Sequence, residues 1–138
     1  LPVLPTIWQH GRRERTHQEL SDGADLARLA MRHPKVIFIL AHIGGGGDYA
    51  HTFHAIEESP NIFPDLSGSG VDRGMLDDAI KALGPGRLLW GSDITMCTGL
   101  AKLRALETTG LLSAEDIKDI RWRNAARIFR AGIFGRAA

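Results

Sequence analysis

Three short apolar runs beginning at positions 36, 62 and 88, each 26 residues after the last, constrain this chain more than any other feature. Val36-Ile37-Phe38-Ile39-Leu40 is unbroken in β-branched and apolar residues. Strands buried on both faces of a parallel sheet have this pattern. Residues 61–66 form a second run, interrupted by Pro64, and Arg87-Leu88-Leu89-Trp90 a third. A spacing of this size holds one strand, one helix and their turns, so its repetition implies βα units in a parallel α/β architecture. Residues 1–8, apolar apart from Thr6, add an earlier strand to the series, although Pro2 and Pro5 weaken it.

The intervening segments read as helices. Ser21 and Asp22 are candidate N-caps for a helix to about Arg32, with Leu26, Leu29 and Ala30 inward and Pro34 ending it. Asp48 can cap a helix through Glu58 that turns Phe53 and Ile56 inward. Val71, Met75, Leu76, Ala79, Ile80 and Leu83 share one face of a 3.6-residue repeat, and Gly84-Pro85-Gly86 stops it. A shorter helix is expected over residues 100–107. Ser113 and Asp116 then open a last helix in a near match to a capping box, with Ile117, Ile120, Ala125 and Ile128 as its apolar stripe.

Charge and composition exclude several partners. Seventeen Lys and Arg against 16 Asp and Glu leave a net charge of +1, which is no footprint for nucleic acid or an anionic membrane. The longest mostly apolar run, residues 36–43, is far shorter than the roughly 20 residues that cross a bilayer. The single cysteine, Cys97, cannot form an internal disulfide, so the cytoplasm is the expected compartment. The 138 residues suit one folding unit. The chain opens without Met and as though already inside a strand, as a piece of a longer protein would. Its first strand would present an open edge, which invites association with a second copy.

In parallel α/β folds function gathers where strands end and turn towards helices. Here those ends are polar: His42 after Ala41, Asp65 and Ser67, and Asp93 after Gly91-Ser92, with His10 as a fourth. Imidazole and carboxylate groups converging from neighbouring strands can hold a divalent metal and manage the protons of water. Taken singly, His42 can also be a hydrogen-bonded structural residue and Asp93 the cap of a turn. Asp65 reads as a brace for its loop through backbone N–H groups. His17, His33, His51 and His54 read as solvated surface. Gly44 to Gly47 either let the backbone approach a ligand or make a tight turn. No Lys-Ser or Lys-Thr follows them, so they are not a phosphate-binding P-loop. Residues 68–74, Gly-Ser-Gly-Val-Asp-Arg-Gly, offer a dinucleotide-binding alternative with an oxidoreductase function, against which stand Pro64 and Asp65 in the preceding strand.

Four stretches in order resemble the amidohydrolase-related family of metal-dependent (β/α)8 barrels, the branch that holds hydrolases and decarboxylases of aromatic or unsaturated carboxylic acids. His33-Pro34-Lys35-Val36 through Ala41-His42-Ile43-Gly44-Gly45-Gly46 resembles the family's strand six. Asn61-Ile62-Phe63-Pro64-Asp65-Leu66-Ser67-Gly68 resembles strand seven, and Arg87-Leu88-Leu89-Trp90-Gly91-Ser92-Asp93 strand eight. Asn124-Ala125-Ala126-Arg127-Ile128-Phe129 resembles the closing helix. The resemblance implies the C-terminal half of a barrel, about four βα units with a closing C-terminal helix. It implies Asp93 as metal ligand or proton acceptor, His42 as the catalytic histidine, and His10 as a strand-five metal ligand. Gly44, Gly45 and Ser67 are the expected substrate-binding positions. The implied cofactor is a divalent metal, Zn²⁺ first, and the implied substrate a small carboxylic acid. The chain departs from the family in lacking a His-x-His pair, from which the family draws two metal ligands on its first strand. A half-barrel that serves only as a metal-free scaffold is the non-enzymatic alternative.

Overall fold

A computed structural model describes residues 1–6, 22–43, 49–68, 73–93 and 99–129. Strand β1 (Phe38–Leu40) pairs in parallel with β2 (Ile62–Pro64), Phe38 opposite Ile62 and Leu40 opposite Pro64. Single parallel bridges extend the sheet on both sides, Val3 to Phe38 and Thr6 to Ala41 on one, Asp65 to Leu89 on the other. Four parallel segments thus lie side by side in chain order, as the 26-residue repeat predicts. Arg87 departs from the expected strand: Pro85–Arg87 forms a 3₁₀ turn instead, with Gly84 at φ 73°. Proline suits the first position of such a turn, where its missing N–H is not needed. Pro64 is tolerated within β2 for a related reason. The neighbouring ladder begins with the Leu89 N–H donating to the Pro64 carbonyl at 2.9 Å, beyond the point where a Pro64 N–H would have bonded.

Helix α1 (Gly23–Arg32) begins at Asp22, whose carboxylate accepts the Ala24 and Asp25 N–H groups in a reciprocal capping box with Asp25. It buries Gly23, Leu26, Ala27 and Ala30. Leu29, expected inward, is 42% exposed, because the buried positions centre on Ala27 and Ala30 and leave it on the flank. Gly23 is required by proximity: a Cβ there would lie 2.9 Å from Thr52 of helix α2 (Tyr49–Ile56). Helix α2 turns Phe53 and Ile56 into the core, and helix α3 (Arg73–Leu83) contributes Met75, Leu76, Ala79, Ile80 and Leu83. Val71 and the Asp48 cap lie outside the described residues. Helix α4 (Gly99–Thr108) buries Lys102 and Leu106.

The closing helix is interrupted. Helix α5 (Ala114–Lys118) has the Ser113–Asp116 capping box, a π-turn follows at Asp119–Arg123, and helix α6 (Asn124–Ile128) continues. Ile120 is buried as the sequence pattern expects, and the π-turn adds Asn124 to the interior where the pattern pointed to Ala125; both have no exposed surface. The π-turn also releases the Ile120 carbonyl, which accepts the Trp90 N–H at 3.0 Å.

At the N-terminal ends of the strands, three side chains collect backbone carbonyls that would otherwise be orphaned. Asn61 donates to the Ala30, His33 and Val36 carbonyls at 2.9–3.3 Å. The Arg87 guanidinium donates to those of Ile56, Glu57, Ser59 and Ile62 at 2.9–3.2 Å. Burial pulls its pKa below the ordinary arginine value against the opposing pull of Glu57. Buried Asn124 donates to the Pro85 and Leu88 carbonyls, both at 2.8 Å.

Candidate active site

The opposite ends of the same strands are built differently. His42 follows Ala41 at φ 66° and Asp93 follows Ser92 at φ 50°, the two non-glycine residues with positive φ among those described. A side chain in the left-handed region costs about 1–3 kcal/mol and persists only where its surroundings impose it. For His42 the imposing group is Asp65. Its carboxylate accepts the His42 N–H at 3.2 Å, while its own carbonyl accepts the Ile43 N–H at 3.3 Å. Two successive N–H groups turn onto one residue of the neighbouring strand, and the imidazole swings across the strand end.

Asp65 gathers Ser67 in the same way. Its Oδ1 accepts the Ser67 N–H at 2.8 Å and the Ser67 hydroxyl. This bears out the reading of Asp65 as a backbone brace. Ser67 Oγ then lies 2.9 Å from His42 Nδ1, and Asp93 Oδ2 lies 3.7 Å from the same nitrogen. Ser67, an expected substrate-binding position, is 5% exposed and hydrogen-bonded to Asp65 and His42. The His42 and Asp93 side chains keep 36% and 30% of their surface in solvent.

Gly91 explains why the fourth strand end can pass so close. A Cβ there would sit 3.0 Å from Ser67 Cβ and 3.1 Å from Asp65 Oδ1. A side chain there would force Ser67 or Asp65 to shift. Lys102, 4% exposed on helix α4, reaches the Gly68 carbonyl, tying that helix to the turn after Ser67. Gly68 itself holds φ 105°. Sequence reading missed both Gly91 and Lys102. Nothing in a lysine amid Leu100-Ala101 and Leu103 distinguishes a buried ammonium from a solvated one. His51 and His54 are solvent-facing, as expected, with His51 Nε2 3.4 Å from the Asp22 carboxylate.

His10, Gly44 and Gly45 lie outside the described residues, as do residues 69–72 of the glycine-rich alternative. Among the described residues no group of three or more His, Cys, Asp or Glu side chains could hold a metal ion. The donor chemistry of Asp93 and His42 fits part of a divalent shell, since carboxylate oxygen and imidazole nitrogen are both ordinary ligands. Completing the shell requires donors beyond this pair.

Parallel strands separated by helices, with polar residues converging at the C-terminal strand ends, define half of a (β/α)8 barrel. The chain belongs to the amidohydrolase family: the family's sequence model, described as Amidohydrolase, matches residues 6–131. No functionally curated protein matches it. Several solved structures share the fold. An amidohydrolase from Burkholderia multivorans with bound zinc is 22% identical, with a TM-score of 0.64 over 79% of this chain and 50% of that one. A dihydroxybenzoic acid decarboxylase from Polaromonas sp. JS666, with bound manganese and the inhibitor 2-nitroresorcinol, is 22% identical, with a TM-score of 0.57 over 79% and 41%. The 5-carboxyvanillate decarboxylase of Sphingomonas paucimobilis is 18% identical, with a TM-score of 0.60 over 94% and 49%. The chain spans about half the length of the structures it matches. Among the described residues no helix is long and apolar enough to cross a membrane.

Proposed function

We propose that this chain, one folding unit over residues 1–138, supplies half of the active site of a metal-dependent amidohydrolase-type hydrolase or decarboxylase. The observation that carries the reading is the meeting of His42 and Asp93. They come from two different strand ends, both in left-handed backbone, and lie 3.7 Å apart. Conformations of this cost are retained where function requires them. Asp93 is the carboxylate that would hold a divalent metal, zinc or manganese by analogy with the Burkholderia and Polaromonas proteins. His10 would be a further ligand. When bound, such an ion supplies Lewis acidity and lowers the pKa of water from about 15.7 to about 7. His42 would carry a proton to or from the reacting group, and Gly44 and Gly45 would let the substrate approach the backbone. The substrate class is a small carboxylic acid of the aromatic type handled by the decarboxylase neighbours. Hydrolysis and decarboxylation share these residues, and both belong to the proposal. A homo-oligomer in the cytoplasm is the proposed state.

The test is metal analysis of the protein beside its Asp93→Ala variant, together with turnover of benzoate-type carboxylic acids. Stoichiometric metal that Asp93→Ala removes would support the assignment. Metal retained undiminished in the variant would remove Asp93 as a ligand, and an absence of metal under all loading conditions would leave a scaffold.

A further inference from the structure

We infer that Ser67, held by Asp65, is a positioning residue that sets the tautomer of His42, placing the proton on Nδ1 and leaving Nε2 bare to accept one. This deepens the metal-dependent reading above and rests on it for its consequence, though not for its geometry. Three contacts compel it. Ser67 Oγ donates to the Asp65 carboxylate, and that hydrogen bond uses the hydroxyl's one proton. Ser67 Oγ therefore offers its lone pairs to His42 Nδ1 at 2.9 Å. The second group facing Nδ1, Asp93 Oδ2 at 3.7 Å, is also an acceptor. A bare Nδ1 would point its lone pair at two oxygens that cannot donate to it, whereas an N–H donates to Ser67 Oγ and lies favourably near the Asp93 carboxylate. The tautomer of a working histidine is set by the bond its other nitrogen makes. Here that bond is made to a serine locked by a carboxylate, and the carboxylate also holds the His42 backbone N–H at 3.2 Å. One aspartate therefore governs the backbone angle of His42, the rotor of Ser67 and the proton position on the ring.

The consequence is directional. Nδ1 is committed to Ser67 Oγ beside the Asp93 carboxylate, so exchange with a reacting group falls to Nε2.

The experiment is long-range ¹H–¹⁵N correlation on protein labelled at histidine, near pH 9, well above the ordinary imidazole pKa of about 6.5. His42 is assigned by the signals lost in His42→Gln, and exposed His33 serves as the reference for an unconstrained ring, which favours the Nε2–H form. The expected result is His42 protonated at Nδ1 and bare at Nε2. In Ser67→Ala, Asp65 keeps both backbone N–H bonds and the melting curve checks that the fold is retained. There His42 is expected to shift towards the Nε2–H form with metal content unchanged. An Nε2–H ring in the unaltered protein, or a tautomer indifferent to Ser67→Ala, overturns the inference. Failure of metal to bind at all would count against the function proposed above while leaving the tautomer result to stand or fall by itself.

Discussion

The two ends of the same parallel strands are made by opposite rules. At the N-terminal end, Asn61, Arg87 and Asn124 donate to backbone carbonyls, and the positive φ there falls on a glycine, Gly84. At the C-terminal end, Asp65 and Ser67 force His42 into the left-handed region, close to Asp93 in the same region. One end is satisfied and the other is held under strain. The first therefore serves stability and the second leaves two ionisable side chains aimed at one point.

The largest effect expected from breaking this contrast is at the satisfied end. Asn124→Ala removes the donor to one buried carbonyl, Leu88, and one part-buried carbonyl, Pro85, so a loss of about 3 kcal/mol in urea denaturation is expected, given about 1–3 kcal/mol for each unpaired group. Next comes Gly91→Ala, where the added methyl presses on Ser67 and Asp65 from the strained end. Overpacking of this kind should cost about 2 kcal/mol by the same measurement. It should also displace His42, visible as a shift of its ring resonances. His42→Gly and Asp93→Gly sharpen the comparison from the other side. Relief of the left-handed conformation offsets the lost contacts, so stability should change by no more than about 1 kcal/mol in either direction. A loss above about 3 kcal/mol in both would show that the end called strained is a stability element after all.

The smallest effect is that of acid on the helix that serves the satisfied end. Hydrogen bonds from Lys118 and Arg123 hold the exposed Glu115 carboxyl down to about 2, from an ordinary value of 4.5. A depressed carboxyl contributes fully above its unfolded value. That contribution disappears as pH falls through about 2. Denaturation midpoints compared at pH 5 and pH 2 should differ less in Glu115→Gln than in the unaltered protein.

The strained end was legible in the sequence as far as its residue types. His42 and Asp93 stand where apolar runs stop, and a 26-residue repeat says that those stops share one face. Asp65 as a loop brace also followed from its place between a strand and a Ser-Gly pair. What was not legible depends on distance between segments remote in sequence. Ser67 reads as a substrate-binding position, and its hydrogen bonds to Asp65 and His42 become visible only once the strands are side by side. Gly91 reads as a turn residue until the neighbouring strand is found 3.0 Å from its missing side chain. Leu29 and Ala125 were assigned inward by periodicity alone. The first lies off the centre of its helix's buried face. The second is displaced by a π-turn, which periodicity at 3.6 residues does not anticipate.

That π-turn makes chain length itself a variable at the site. The Asn124 N–H reaches back five residues, to the Asp119 carbonyl, so the turn carries one residue more than an α-helix needs. Deleting exposed Arg121 would let the turn close as ordinary α-helix, with Asn124 still facing the carbonyls it serves. The Ile120 carbonyl would then be drawn into the helix, and Trp90, three residues ahead of Asp93, would lose its acceptor. In this chain, a one-residue gain or loss in the closing helix is thus a way to loosen or tighten the strand end that carries Asp93 while leaving every side chain of the site unchanged.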